Sequence, residues 1–419
     1  MKTKTKKRVM LTLALAIIMT CAMSITALAA TKVTGLKQTK ASEYSVSFSW
    51  AADTSANGYY IYVSTDNVNY TRKGNTTSTY PDVYEPNGIV TNLSPGTTYY
   101  IKVQSATKNA SGVYVPGPMS DALAVTTAPT KVTTFKQLKA TTKGVTLKWS
   151  KVAGATSYKI YRDNKVVATT TATNATIKQT VGTNKYYKVV AVRKVGNFSV
   201  EGNYASTYAD AVPAKPVYVA NSAKSNLRWN PNTNEVTLYA DKNTKDTTVD
   251  GFQFVVYSVD GKKKLKTYTT TATYNPMKFT LKAVKNKGFQ VMARGYANIN
   301  GKKCWGAWSA KQVIIPQPKV AAELDGSHAA KIRWAKVSGA TKYYIYVAKN
   351  QSSTYNLASS KFKRVATVNS KTTSYKITGL QTGKYLCVYV VPQVKVGKKA
   401  YNGLKDYFWS WYYYTYYTY

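Results

Sequence analysis

Histidine is almost absent: His328 is the one copy in 419 residues. A hydrolytic triad needs an imidazole beside a nucleophile and an acid. His328 sits in Ser327-His328-Ala329-Ala330-Lys331-Ile332 with neither at motif spacing. Carboxylates are scarce too, 17 Asp and Glu against 59 Lys and Arg. Glu43, Asp53, Glu201 and Glu235 stand in no paired context, so no two of them read as the acid and nucleophile of a glycosidase. Neither a catalytic residue nor a cofactor is expected. The three cysteines are too few for a disulfide framework. Cys21 falls in the N-terminal segment, which leaves Cys304 and Cys387 as free thiols. Cys387 is expected as a small core residue in the apolar strand 385–391. Beyond the N-terminal segment there is no second long apolar run, no sustained helical period and no Leu-Pro-x-Thr-Gly sorting signal.

What is present begins with an export signal. Lys2, Lys4, Lys6, Lys7 and Arg8 precede an apolar run from Val9 to Met23, and Ala27-Leu28-Ala29 supplies a small-x-small cleavage pattern. Residues 1–29 are expected to be a helical signal peptide removed on secretion. The net charge is +42, of which the segment holds five, leaving +37 (42 − 5) on the remainder. Only 8 of the cations are arginine. Lysine is a hydrated point charge, whereas arginine is the planar fork that recognises phosphate bidentately. Diffuse attraction to a polyanion is therefore favoured over a built phosphate site. Cell-wall polyanions or acidic glycans are the expected partners, with no specific nucleic acid. Lysine also keeps β surfaces soluble and blocks edge pairing.

The chain repeats itself. Trp50, Trp149 and Trp334 are each followed by a Tyr-rich strand whose last tyrosine lies 12 residues on (62 − 50, 161 − 149, 346 − 334). Trp149 to Trp334 is about twice the spacing of Trp50 to Trp149, so a diverged copy is expected between them. It is visible as Val236-Thr237-Leu238 and Phe252-Gln253-Phe254-Val255-Val256-Tyr257. Val46, Phe48 and Trp50 alternate with serines, and Tyr99, Ile101 and Val103 with Tyr100 and Lys102. Period two with aromatic and β-branched residues predicts half-buried strands. Asn57-Gly58, Ser94-Pro95-Gly96, Val195-Gly196-Asn197, Asp260-Gly261 and Asn300-Gly301 punctuate them as turns.

Leu93-Ser94-Pro95-Gly96-Thr97-Thr98-Tyr99-Tyr100-Ile101-Lys102-Val103 resembles the E–F corner of fibronectin type III domains, and the tryptophan with its Tyr-x-Ile-Tyr strand resembles strands B and C. The resemblance implies an all-β chain of four tandem immunoglobulin-like (fibronectin type III-type) β-sandwiches. The expected domains are 30–128, 129–213, a diverged 214–317, and 318–419 with an aromatic C-terminal strand. It also implies a structural tyrosine corner at Tyr99, Tyr186 and Tyr385, absent from the third copy where Phe289 has no hydroxyl. Thr127-Ala128-Pro129, Val212-Pro213 and Ile315-Pro316 are short proline-bearing linkers, expected to make a semi-rigid rod.

Three features compete for a functional role. Asp241, Asp246 and Asp250 are the densest carboxylates, but Lys242 and Lys245 intrude and calcium-loop spacing is lacking. A solvated loop without metal is expected. Trp305-Gly306-Ala307-Trp308-Ser309 resembles the Trp-Ser-x-Trp-Ser element of cytokine receptors, with Arg294 as the cation expected to stack on it. The last thirteen residues hold ten aromatics. By counting 21 residues on from the corner, as from Tyr99 to Ser120, their strand is expected to open at Asp406. Both faces of that strand are aromatic. Trp409, Trp411, Tyr412, Tyr414 and Tyr416 are therefore candidate ligand contacts, either a sugar-stacking platform or a docking strand for a protein. The expected function is secreted, non-enzymatic, extracellular or cell-surface binding and adhesion. The alternatives are a carbohydrate-binding protein and a passive spacer or assembly subunit.

Overall fold

A computed structural model describes residues 30–74, 80–216, 227–230, 235–238, 246–271, 277–280, 286–405 and 408–414. The expected signal peptide with Cys21, and Asp241, Asp406 and Tyr416, lie outside them. The period-two segments are antiparallel strands, and the helical element among the described residues is one 3-10 turn, Ser359–Lys361. The sheets come as four successive pairs, one three-stranded and one five-stranded.

In the first pair the order is Lys37–Ala41, Val46–Ser49, Asn87–Val90, facing Thr71–Arg72, Gly58–Ser64, Thr98–Lys108, Tyr114–Met119. Leu123–Thr126 pairs with Thr98–Lys108 as well. The second has Asn174–Ile177, Gly144–Lys148, Lys136–Thr141 and then Lys165–Thr170, Ser157–Arg162, Asn184–Val195, Phe198–Glu201, with Ala205–Asp210 on Asn184–Val195. The third has Leu227–Asn230, Glu235–Leu238, Met277–Thr280 and Lys264–Thr270, Gly251–Ser258, Phe289–Ile299, Lys302–Trp305, with Gln312–Ile314 on Phe289–Ile299. The fourth has Val320–Leu324, Ala329–Trp334, Ser374–Thr378 and Lys363–Asn369, Ala340–Gln351, Lys384–Val396, Lys399–Asn402, with Trp409–Tyr413 on Lys384–Val396. The diverged copy thus keeps the same strand order without its tryptophan.

The chain divides into two compact units. One comprises Met1–Phe135, Lys148–Ala175 and Tyr187–Thr207, the other Lys136–Leu147, Thr176–Tyr186 and Tyr208–Tyr419. In the first unit, Val46, Phe48 and Val90 of the three-stranded sheet pack with Ile61, Ile101 and Val103 of the five-stranded one. In the second unit, Ile332, Trp334 and Ile377 meet Tyr343, Ile345, Val388 and Tyr413 in the same way. Each such side chain removed from water stabilises the fold by about 1.5–3 kcal/mol.

Turn chemistry follows the sequence. Asn300 and Gly301 both have positive φ, 51° and 74°, the geometry that joins strands of a two-residue hairpin. Asp163 and Asn164 reach it without glycine, at 52° and 59°. The last strand of each end copy starts later than counting predicts, at Leu123 and Trp409. In the first copy the Ser120 hydroxyl accepts the Val103 N–H at 2.9 Å and donates to the Asp121 carbonyl at 2.8 Å, which breaks the strand there.

Tyr99 is buried, and its hydroxyl accepts the Ser94 N–H at 2.8 Å. The other two corner assignments need correction, because each is one residue out of phase and a one-residue slip turns a strand side chain to the opposite face. The inward residues are Tyr187 and Val189 in the second copy and Leu386 and Val388 in the fourth. Tyr186 lies against Tyr208, with ring centroids 5.1 Å apart, and Tyr385 against Tyr412, at 4.7 Å. In the fourth copy Tyr413 of the last strand supplies the buried hydroxyl, which accepts the His328 N–H at 2.7 Å. Phe289 of the third copy is fully buried and has no hydroxyl to offer.

A second tyrosine device, not anticipated, recurs in three copies. Tyr59, Tyr158 and Tyr343 lie nine residues after Trp50, Trp149 and Trp334 (59 − 50, 158 − 149, 343 − 334). Their rings pack on those tryptophans with centroids 5.1, 5.5 and 5.6 Å apart. Their hydroxyls accept the N–H of Asp53, Val152 and Val337 at 3.2, 2.9 and 2.9 Å. Phe252 holds this position in the third copy.

Candidate functional site

Strand alternation puts every second side chain of the five-stranded sheets on the outer face, and in the first, second and fourth sheets tyrosine and lysine recur there, as at Tyr60, Tyr62 and Lys102, Lys159, Tyr161 and Lys188, and Lys342, Tyr344 and Tyr346. Thirteen cation–ring pairs are described, from Arg72 over Tyr60 at 4.3 Å to Lys405 over Tyr346 at 3.6 Å. Nine of them hold a lysine ammonium against a ring face. Ion pairing removes few of them. The described pairs are Lys32–Asp121, Arg72–Asp82, Lys159–Glu201, Arg333–Glu323 and Lys376–Asp325.

Two of these pairs are built into larger groups. Asp82 takes the Arg72 guanidinium at 2.9 Å and the Ile61 N–H at 2.8 Å, and Arg72 lies over Tyr60. Glu201 accepts from Lys159 at 2.7 Å and from the Tyr161 hydroxyl at 2.9 Å. Burial, then the hydrogen bond to Glu201 and its charge, push the Tyr161 phenol up to about 12.

Arg294 lies over both Trp305 and Trp308, at 4.1 and 4.3 Å, and donates from Nε and Nη2 to Gln253 Oε1. Burial lowers its affinity for the proton. Ser309 closes the element, its N–H on the Ala293 carbonyl and its hydroxyl accepting the Ala293 N–H at 2.9 Å. Gly306 stands in place of the first serine because a Cβ there would lie 2.4 Å from the Pro213 carbonyl oxygen. The group is a packed ladder, with its aromatic faces already occupied by the guanidinium.

The C-terminal aromatic strand sorts its candidates by parity. Trp409, Trp411 and Tyr413 turn inward, the two tryptophans half-buried against the fourth core and Tyr413 fully buried. Tyr412 and Tyr414 turn outward, 37% and 57% exposed. Tyr385, Tyr412 and Tyr414 form an edge-to-face row with centroids 4.7 and 5.0 Å apart. The outer candidates are therefore tyrosines, with Tyr385 as a member that sequence reasoning had placed elsewhere. Its signal was available: Tyr385 has the odd parity of Cys387 and Tyr389, opposite the apolar Leu386, Val388 and Val390.

Cys387 also faces outward, buried in a satellite cluster with Ala348 and Phe362 instead of in the main core. Burial pushes its thiol up to about 11. Cys304 is half-buried, and both thiols are free. Of the acidic loop, Asp246 is buried and accepts from the Ala214 N–H, the Thr248 N–H and the Thr248 hydroxyl at 2.7–2.9 Å. Asp250 accepts the Asn298 N–H at 2.7 Å. These carboxylates organise backbone, and no metal-binding group of three or more ligands occurs among the described residues. A cavity of about 480 Å³ beside Asn109 and Val115 is lined by Ala30, Thr107, Pro116, Gly117 and Pro118, none of them titratable. His328 spends its N–H on Tyr413 in a left-handed turn, φ 56°.

No curated protein matches the chain. Among solved structures it is similar to the FN1–FN3 domains of chicken CNTN1, at 15% identity and a TM-score of 0.26, over 68% of this chain and 98% of that one. It is also similar to a two-domain fibronectin type III segment of chicken tenascin, at 14% identity and a TM-score of 0.26, over 43% of this chain and 99% of that one. Residues 31–117 match the family model of the fibronectin type III domain.

Proposed function

We propose that this chain is a secreted, non-enzymatic binding and adhesion protein of the cell exterior. Summed lysine charge holds it to polyanionic envelope material such as wall polymers or acidic glycans, and its tyrosine-rich faces are presented outward. The observation that carries this reading is the set of cations fixed over tyrosine rings on the sheets of a chain with net charge +42. A ring covered by an ammonium offers positive charge to a ligand instead of a bare stacking face. Lysine without carboxylate partners attracts by field, and the attraction weakens steeply as salt shortens its range to about 10 Å at 0.1 M. A glycan array run at 0.05 and 0.5 M salt tests it. Retention of acidic polymers at low salt with loss at high salt is expected; retention that ignores salt refutes it.

A second reading, recognition of carbohydrate or of a protein, is favoured at the C-terminal strand. The described ring contacts of Tyr385 and Tyr412 there are to neighbouring tyrosines. Binding by that row survives high salt and is lost when Tyr412 and Tyr414 become alanine. Replacing the inward Trp409 and Trp411 instead damages the fold.

A further inference from the structure

Resting on the polyanion reading above, we infer that the outer face of the fourth five-stranded sheet is the chain's principal site for a flexible polymer carrying phosphate or carboxylate oxygens. From Gly326 to Lys405 the sequence contains no acidic residue and fifteen Lys and Arg. The described carboxylates of the fourth copy, Glu323 and Asp325, both belong to the three-stranded side. There they are engaged by Arg333 at 2.6 Å and Lys376 at 3.5 Å. Charge is therefore segregated between the two sheets of one sandwich. One side carries its own counter-charges, and the other has none among the described residues.

The side without described carboxylates is also ordered. Lys342, Tyr344 and Tyr346 alternate with the buried Tyr343, Ile345 and Val347 on strand Ala340–Gln351. Lys342 and Arg364 both stand over the Tyr344 ring, at 5.3 and 5.6 Å, and Lys405 stands over Tyr346 at 3.6 Å. Two cations near one ring raise the positive potential there, which favours an anion beside them. The described hydrogen bonds beside them join neutral groups: the Tyr344 hydroxyl accepts from Gln393, which also reaches Asn402. With the ring faces taken by cations, the ligand is selected by its anionic oxygens and not by a stacking base or sugar. Arg364 adds one planar fork suited to an oxyanion.

The test uses the full chain on immobilised long-chain polyphosphate and on hyaluronan, with neutral dextran as blank. The variant K342E/R364E/K405E is compared with K136E/K139E/K143E, an equal change of charge at exposed lysines of the second copy. The face variant is expected to lose about tenfold or more in affinity, and the matched variant clearly less. The glutamine triples at the same positions repeat the comparison should the reversals fold poorly. A preference for polyphosphate over hyaluronan assigns the site to phosphate, and the reverse assigns it to carboxylate. Equal losses from the two triples overturn the localisation while leaving diffuse attraction in place. Failure of the unaltered chain to bind either polymer overturns the polyanion reading and this inference together.

Discussion

Removing one oxygen atom tests the buried tyrosine device. Tyr343 has no exposed surface, and neither has Val337, whose N–H it accepts at 2.9 Å. Tyr343→Phe keeps the ring, and so keeps the packing on Trp334. It leaves a buried N–H with no acceptor, which costs about 1–3 kcal/mol. Since 1.4 kcal/mol is a factor of ten, hydrogen exchange at the Val337 amide is expected to accelerate roughly five- to 150-fold. The readout is exchange resolved at residues 335–343, so that the other copies do not mask the effect. Tyr344→Phe is the control. Its hydroxyl meets Gln393 at 3.0 Å on the half-exposed outer face, where water replaces the partner, and its effect is expected to stay within about 0.5 kcal/mol. Equal exchange at Val337 in the Tyr343→Phe variant and the parent refutes the reasoning.

Other perturbations separate the remaining contacts. Arg193 donates to the hydroxyls of Thr98 and Thr126, each at 2.7 Å, and to the Gly154 carbonyl. Arg193→Ala is expected to speed limited proteolysis of 127–133 and to cost about 1–3 kcal/mol in denaturant unfolding of that unit; unchanged proteolysis argues against a pinned junction. Asp246→Asn keeps the shape but weakens a three-donor acceptor, and an expected loss of about 1–3 kcal/mol is read from urea midpoints. Arg294→Ala uncovers two tryptophans and frees Gln253, so the indole fluorescence is expected to red-shift and stability to fall by about 1–3 kcal/mol. Cys304 is expected to alkylate at pH 8 in the folded chain, and Cys387 only after unfolding. Because the Cys387 thiol rises from 9.0 to about 11, the folded chain keeps its proton where the unfolded chain loses it. Its contribution is thus intact below pH 9 and is lost as pH climbs towards 11, which a pH series of urea midpoints checks.

Much of the architecture was legible because period two is a direct record of which side of a sheet is dry. Val46, Phe48, Val145 and Leu147 alternate in the sequence and are buried in the structure. The same rule explains what was misread. Tyr186 and Tyr385 stand next to equally good aromatic or apolar neighbours, so the pair alone cannot say which of Tyr186-Tyr187 or Tyr385-Leu386 points inward; the parity of the longer strand, with Val189 or with Val388 and Val390, decides it. The nine-residue Trp-to-Tyr spacing was visible but masked by the twelve-residue one, whose tyrosines turn outward: Tyr62 donates to Gln104, and Tyr346 lies beneath Lys405. The Arg193 contacts join residues up to 95 positions apart, beyond any local pattern. Trp409 and Trp411 were candidate contacts because tryptophan suits a sugar. Their parity with the buried Tyr413 puts them against the core instead.

The third copy shows how one fold tolerates losing its repeated devices. It has phenylalanine at both hydroxyl-bearing positions, Phe252 and Phe289, each buried. A phenylalanine fills the same volume but leaves any backbone N–H it would have served to another acceptor. Its carboxylates are engaged with backbone: Asp246 takes the Ala214 and Thr248 N–H groups, and Asp250 takes Asn298. At the edge of the sheet Arg294 ties Gln253 to two tryptophans. Acids spent on backbone and arginine spent on indole are unavailable to a ligand. The fourth copy is the converse case. Its hydroxyls at Tyr343 and Tyr413 satisfy buried N–H groups without charge, and its outer cations are left to face solvent. The division between a copy that uses its charges internally and one that leaves them outward predicts that a polyanion follows the fourth copy when the copies compete as separate charge-reversed variants.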